Sequence, residues 1–159
     1  KIEDKYGNVL ANFYPESREV ITENTAFLMA NLLQGVVDEG TGRRLRFRYG
    51  FKNQIGGKTG TTQNHSDGWF IGITPDLAGG VWVGAEDRSI HFQNLANGQG
   101  ASMALPIWAL FMQKVYADKS LAVPQSDFQK PNGVNHVLDC GDADREGMTD
   151  YDSSDEIFD

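Results

Sequence analysis

The sequence predicts an α/β fold of the α+β kind, an antiparallel sheet with flanking helices. Between residues 55 and 85, three short segments rich in β-formers are joined by turns of Gly, Asp and Pro. Connections this short join neighbouring antiparallel strands. A segment with the apolar periodicity of a helix precedes this region and another follows it, so we expect one helix before the sheet and one after it.

The first helix is predicted from Thr22, a residue type favoured at the N-cap, to Asp38. Its apolar face is expected to consist of Met29, Leu32, Leu33, Val36 and Val37. The chain leaves this helix at Gly40-Thr41-Gly42, and the segment from Ile2 to Leu10 predicts a short hairpin that turns at Gly7.

Arginines alternate with apolar residues from Arg43 to Tyr49. This alternation predicts a strand or an extended arm with one solvated face. Two interpretations of the arginines are open: they steer an anionic ligand, or they form a charged edge that discourages aggregation.

Strands are predicted over 55–62, 69–74 and 81–85, and the second helix from about Ala101 to Tyr116. The apolar stripe of this helix is expected to be Ala104, Ile107, Trp108, Phe111 and Val115, with Pro106 near the first turn. Trp69 and Trp82 are expected to pack between the sheet and a helix.

Charge and composition together divide the chain into three parts. The net charge is −8, of which residues 1–118 contribute −1 and the remainder −7. We expect residues 1–118 to fold, 119–140 to form a proline-punctuated C-terminal extension and 141–159 to be an acidic, disordered tail. An acidic chain without a basic domain argues against nucleic acid as a partner. The scattered His65, His91 and His136 predict no metal site, and no cofactor is predicted.

The strongest functional signal is Lys58-Thr59-Gly60-Thr61-Thr62. Lys-Thr-Gly is one of three motifs of serine enzymes that act on penicillin-like substrates; the others are Ser-x-x-Lys and Ser-x-Asn. None of the serines has Lys three residues on or Asn two residues on. The sequence therefore carries half of an active site and no recognisable nucleophile. The alternative is a solvated strand lysine followed by ordinary β-forming threonines.

Further motifs surround Lys-Thr-Gly. In chain order they are Leu33–Val37 with Gly40–Gly42, Gly57–Thr62, Asp67–Gly72, Thr74-Pro75, Val81–Gly84 and Leu105–Trp108. Together they resemble the C-terminal part of the transpeptidase domain of class A penicillin-binding proteins, over about residues 2–116. The chain departs from the family pattern in lacking the Ser-x-x-Lys helix and the Ser-x-Asn loop. In the family these precede this region, so we expect them upstream of Lys1, in the remainder of the transpeptidase domain of a longer parent.

The resemblance implies a parent enzyme at the extracytoplasmic, periplasmic face of the bacterial inner membrane, anchored through an N-terminal region absent from this chain. One domain would polymerise glycan strands. The other would cross-link peptidoglycan stem peptides as a D,D-transpeptidase, through a serine acyl-enzyme that β-lactams also form. The isolated chain, without the nucleophile, is expected to be inactive.

Residue roles follow from the same resemblance. Lys58 would assist proton transfer, and the hydroxyls of Thr59 and Thr61 would hold the terminal carboxylate of the substrate. Gly60 would let the substrate backbone approach, the Thr61 N–H would donate to the oxyanion, and Thr62 would also contact the substrate. Asp67 is interpreted as a structural residue of the turn.

Two other function classes remain open from the sequence. A D-Ala-D-Ala carboxypeptidase or a β-lactamase of the same superfamily would pass the acyl group to water. A non-catalytic binding module would keep the sheet without the chemistry. The residues that precede Lys1 in the parent would decide between the enzymes and the binding module.

Overall fold

The computed structural model describes residues 1–14 and 18–134. The acidic tail over 141–159 and the end of the predicted extension lie outside the described residues. The strands are β1 (Ile2–Glu3), β2 (Val9–Ala11), β3 (Gly56–Thr61), β4 (Asp67–Ile73) and β5 (Ala78–Gly84), and the helices are α1 (Glu23–Asp38), α2 (Arg44–Phe47), α3 (Leu95–Gly98) and α4 (Gly100–Ala117). β1 and β2 form the predicted hairpin, and β3, β4 and β5 form the predicted antiparallel meander.

Helix α1 begins where the sequence predicts, because the Thr22 side chain accepts a hydrogen bond from the Thr25 N–H at 3.3 Å. Its predicted apolar face is partly wrong. Met29 and Leu32 are about half exposed, whereas Ala30 is buried. The helix crosses the start of β3 so closely that a Cβ on Gly56 would lie 3.0 Å from the Cβ of Leu33. This close crossing brings Ala30 into the contact and leaves Met29 and Leu32 at its sides.

Helix α4 packs on the opposite face of the sheet, with Trp108 at the centre of the core. The Trp108 ring meets Phe70 edge-on at 5.4 Å, and both side chains are almost fully buried. Its Nε1 donates to the Gly79 carbonyl at 3.1 Å, and a Cβ on Gly72 would overlap the indole. Glycines line this face of the sheet because the indole occupies the space that side chains would need.

The prediction that Trp69 and Trp82 pack between sheet and helix is wrong. They pair across β4 and β5 with ring centroids 6.5 Å apart and are 45% and 47% exposed. Adjacent residues of a strand face opposite sides, so the inward position of Phe70 turns its neighbour Trp69 away from α4.

The extended arm predicted over residues 43–49 is also wrong, because the segment contains the short helix α2. Leu45 is fully buried while Phe47 is 71% exposed, so the apolar residues do not share a strand face. The Arg46 guanidinium bonds the Asp38 carboxylate at 2.7 Å and the carbonyls of Phe51 and Asn53. Arg46 thus connects the end of α1 to the loop before β3, and it does not lie at the edge of a sheet.

The apolar stripe of α4 is rotated from the predicted one, since Ile107 and Phe111 are about half exposed. The buried residues of the helix are Gly100, Ala101, Met103, Ala104, Leu105, Trp108, Ala109, Met112 and Val115. Pro106 lies inside the helix, in its second turn, because α4 starts at Gly100. No helix of the described residues is both long and apolar enough to cross a bilayer.

Candidate active-site strand

Strand β3 is an edge strand, with only β4 beside it among the described residues. The N–H of Thr62 donates to the carbonyl of Asp67 at 3.1 Å. Hydrogen-bonded pairs alternate along an antiparallel ladder, so Gly60, two residues earlier, is also bonded to β4. Thr59 and Thr61 occupy the alternate, non-bonded positions of this ladder. Their backbone N–H and C=O groups therefore point to the outer edge of the sheet.

The hydroxyls of Thr59 and Thr61 lie on the side of the sheet that α4 covers. Thr59 Oγ1 is 2.9 Å from Thr41 Oγ1, in the turn after α1. Thr61 Oγ1 accepts a hydrogen bond from the N–H of Gly100, the first residue of α4, at 3.2 Å. Because this oxygen accepts, the hydroxyl hydrogen of Thr61 remains available to another acceptor.

Lys58 projects from the other face of β3 and is exposed. Its Nζ donates to the Thr59 carbonyl at 2.8 Å, which brings the ammonium to the outer edge of the strand. Among the described residues, no carboxylate forms an ion pair with it. No side chain projects from the strand beside Lys58 at position 60, because Gly60 has none. A Cβ there would lie 3.3 Å from Trp69 Cβ.

Asp67 organises the turn between β3 and β4 and is buried. Its carboxylate accepts hydrogen bonds from Thr62 Oγ1 at 3.0 Å, Ser66 Oγ at 3.3 Å and Trp82 Nε1 at 3.1 Å, and it meets the Arg88 guanidinium at 3.3 Å. These contacts agree with the structural role predicted for Asp67. They also engage the Thr62 hydroxyl within the turn, so the structure lends no support to substrate contact by Thr62.

The balance of these contacts sets the protonation of Asp67. Burial by itself raises the pKa of this carboxyl. The hydrogen bonds from Thr62, Trp82 and Ser66 and the charge of Arg88 outweigh burial and hold the pKa of Asp67 below its ordinary value. A lowered pKa means that the folded state favours the ionised carboxylate.

We therefore expect Asp67→Asn to lower the melting temperature of the full-length protein at pH 7. The stabilisation by an ionised Asp67 is fully present above the unfolded pKa of about 3.9 and is lost as the pH falls through the lower folded pKa. Melting curves between pH 2 and 7 should thus show a smaller difference between wild type and variant at the acid end. Asp127→Asn, at an exposed carboxylate, is the matched control and should leave the curve unchanged. A pH-independent gap for Asp67→Asn would contradict this account.

Sequence reasoning missed two residues that support the strand, Thr41 and Gly100. Thr41 belongs to a Gly-Thr-Gly turn directly after a helix, and a threonine between two glycines at a helix end was a usable signal. Gly100 had no comparable signal, because its role depends on where α4 meets β3.

Known proteins that resemble this chain identify its family. The family model "Penicillin binding protein transpeptidase domain" matches residues 9–102. Penicillin-binding protein 1A of Aquifex aeolicus is 35% identical to this chain over 82% of the chain and 17% of its own length. Penicillin-binding protein 1A of Pseudomonas aeruginosa is 36% identical over 77% of the chain and 14% of its own length.

The crystal structure of penicillin-binding protein 1A from Haemophilus influenzae superposes with a TM-score of 0.59 and 30% identity, over 71% of this chain and 17% of that one. The chain thus spans less than a fifth of the length of these relatives. It belongs to the penicillin-binding protein transpeptidase domain family, as part of a transpeptidase domain of the class A type.

Proposed function

We propose that β3 is the substrate-binding strand of a serine-type D,D-transpeptidase that cross-links peptidoglycan stem peptides and is acylated by β-lactams. One observation carries the proposal. The backbone N–H and C=O groups of Thr59 and Thr61 point to the outer edge, and the Lys58 ammonium lies at the same edge on the Thr59 carbonyl. The hydroxyls of both threonines belong to the same strand and lie on its α4 side. An extended peptide can pair with such an edge as an added strand.

The chemistry assigns a task to each group. A serine attacks the D-alanyl-D-alanine amide, the terminal D-alanine leaves with a proton, and an amine of a second stem peptide then displaces the serine from the acyl-enzyme. The Thr61 N–H donates to the oxyanion that forms during each attack. The hydroxyls of Thr59 and Thr61 bind the terminal carboxylate, and Gly60 permits close approach. Lys58 adds positive potential and assists proton transfer.

The remaining groups would come from the parent protein. The nucleophile and the Ser-x-Asn loop would belong to the remainder of the transpeptidase domain, outside these 159 residues. The parent would also carry a glycosyltransferase domain and a membrane anchor, and it would act at the periplasmic face of the inner membrane. The support for these assignments is the family membership and the length of the class A relatives.

A fluorescent penicillin tests the proposal. The full-length protein should give a covalently labelled band on a denaturing gel, and the isolated chain should give none because it lacks the nucleophile. Circular dichroism should first show that the isolated chain is folded. A band at the mass of the isolated chain that unlabelled penicillin abolishes would identify a nucleophile within it, such as Ser66 or Ser102, and would contradict the proposal. An unlabelled full-length protein would favour a non-catalytic module.

A further inference from the structure

We propose that Thr41 is a positioning residue, which orients the Thr59 hydroxyl so that it donates to the carboxylate of a peptide or penicillin. The inference rests on the proposed function and adds a residue that lies outside Lys-Thr-Gly, Ser-x-x-Lys and Ser-x-Asn. Its starting observation is the 2.9 Å separation of Thr41 Oγ1 and Thr59 Oγ1, two hydroxyls 18 residues apart in the chain.

The turn after α1 fixes where Thr41 lies. The N–H of Gly40 donates to the Gly35 carbonyl at 3.1 Å, and that of Gly42 to the Val36 carbonyl at 2.9 Å. A Cβ on Gly40 would lie 2.9 Å from the Val36 backbone, and one on Gly42 would lie 3.1 Å from the Val36 carbonyl oxygen. The two glycines thus let the turn fold tightly onto the end of α1. This tight turn holds Thr41 beside β3.

The direction of the hydroxyl bond matters for binding an anion. If Thr59 donated its hydrogen to Thr41, only the lone pairs of the Thr59 oxygen would face the carboxylate of the ligand. The negative charge of the carboxylate would repel these lone pairs. If Thr41 donates to Thr59, the Thr59 hydrogen is available to the carboxylate in a charge-assisted bond. Carboxylate binding therefore selects the second arrangement. Thr41 acts on the substrate only through Thr59.

The same segment also supports the second hydroxyl of β3. Arg44, three residues after Thr41, donates through Nη1 to the Ala101 carbonyl and to Ser102 Oγ, each at 2.9 Å. These acceptors adjoin Gly100, whose N–H donates to Thr61 Oγ1. The segment 41–44 is thus connected to Thr59 directly and to Thr61 through the start of α4. The segment that follows α1 therefore helps to fix the positions of the Thr59 and Thr61 hydroxyls.

The test compares acylation of the full-length protein by penicillin and by its methyl ester, which lacks the carboxylate. Thr41→Val should reduce the second-order rate constant for penicillin about five- to tenfold, the size expected for one lost hydrogen bond. The ester rate should change less than about twofold, because no carboxylate is present. Thr41→Ser keeps the hydroxyl and should react with penicillin at nearly the wild-type rate. In a Thr59→Val background, Thr41→Val should have no further effect.

A matched control comes from the other end of α1, where Thr25 Oγ1 lies 3.0 Å from Thr22 Oγ1 in a similar, exposed hydroxyl pair. Thr25→Val should leave both rates unchanged. An equal loss with penicillin and ester in Thr41→Val would make Thr41 a purely structural residue and overturn the inference. An unchanged penicillin rate in Thr41→Val would overturn it as well. Wild-type protein that penicillin does not acylate would instead overturn the proposed function, and the inference with it.

Discussion

Lys58→Ala is expected to slow acylation of the full-length protein by penicillin by about 10² or more. The Lys58 ammonium lies at the outer edge of β3 on the Thr59 carbonyl, and no described carboxylate neutralises it by an ion pair. In the proposed function, truncation removes both the positive potential that would attract an anionic substrate and the group that would assist proton transfer. Stopped-flow measurement of the second-order acylation rate constant checks the effect. The melting temperature should hardly change, because the side chain is exposed.

Two companion variants make this result specific. Lys52→Ala removes an exposed lysine from the loop before β3 and should leave the rate unchanged. Lys58→Arg keeps the charge but cannot release a proton near neutral pH, so it separates the electrostatic contribution from proton transfer. An unchanged rate in Lys58→Ala would return Lys58 to the interpretation as a solvated strand lysine.

Gly100→Ala is expected to lower the free energy of unfolding by about 1–3 kcal/mol or more, although alanine favours helices. A Cβ at this position would overlap the carbonyl oxygens of Gly60 and Trp69. These are backbone atoms of a paired ladder and cannot rotate away. The start of α4 would have to move off the sheet, and the hydrogen bond to Thr61 would be lost with it. Chemical denaturation measures the stability, and penicillin acylation should fall in parallel.

Gly35→Ala is the matched control, because Gly35 also lies in a helix but a Cβ there would meet nothing within 4 Å. Alanine should stabilise this exposed position by about 0.5–1 kcal/mol, through helix propensity and a less flexible unfolded chain. The two Gly→Ala changes thus have opposite predicted signs. Destabilisation by both, or by neither, would contradict the close contact described between α4 and β3.

The parts of the fold that local signals determine were predictable from the sequence. Thr22 marks the start of α1 because its hydroxyl accepts a hydrogen bond from the N–H of Thr25, as an N-cap residue does. The meander of β3, β4 and β5 followed from the turn residues between short β-forming segments, because such connections allow only neighbouring antiparallel strands.

The parts that distant contacts determine were not predictable. The alternation of residues over 43–49 is compatible with either a strand or a helical turn. The helical conformation is favoured by the burial of Leu45 and by the hydrogen bond from Arg44 to the carbonyl of Ala101, 57 residues away. The outward position of Trp69 depends likewise on Trp108 of α4, which fills the glycine-lined face. Large aromatic side chains by themselves do not indicate which face a helix covers.

The same distinction between local signals and distant contacts applies to the candidate site. Lys58, Thr59, Gly60 and Thr61 came from a contiguous motif, and the structure places the Lys58 ammonium and the backbone groups of Thr59 and Thr61 at the outer edge of β3. The partners of those groups could not be inferred, because a hydroxyl or N–H approaches them only when α4 and the turn after α1 meet β3 in three dimensions.

In the proposed function, this chain provides the substrate-binding strand and the lysine, and the nucleophile comes from elsewhere in the parent protein. Mass spectrometry of the penicillin-treated, digested full-length protein tests it most directly, by locating the residue that carries the penicilloyl group. We expect the adduct on a serine of a Ser-x-x-Lys motif outside these 159 residues. We also expect the yield of this adduct at short reaction times to fall in Lys58→Ala. A penicilloyl group on Ser66, Ser102 or any other residue of this chain would contradict it.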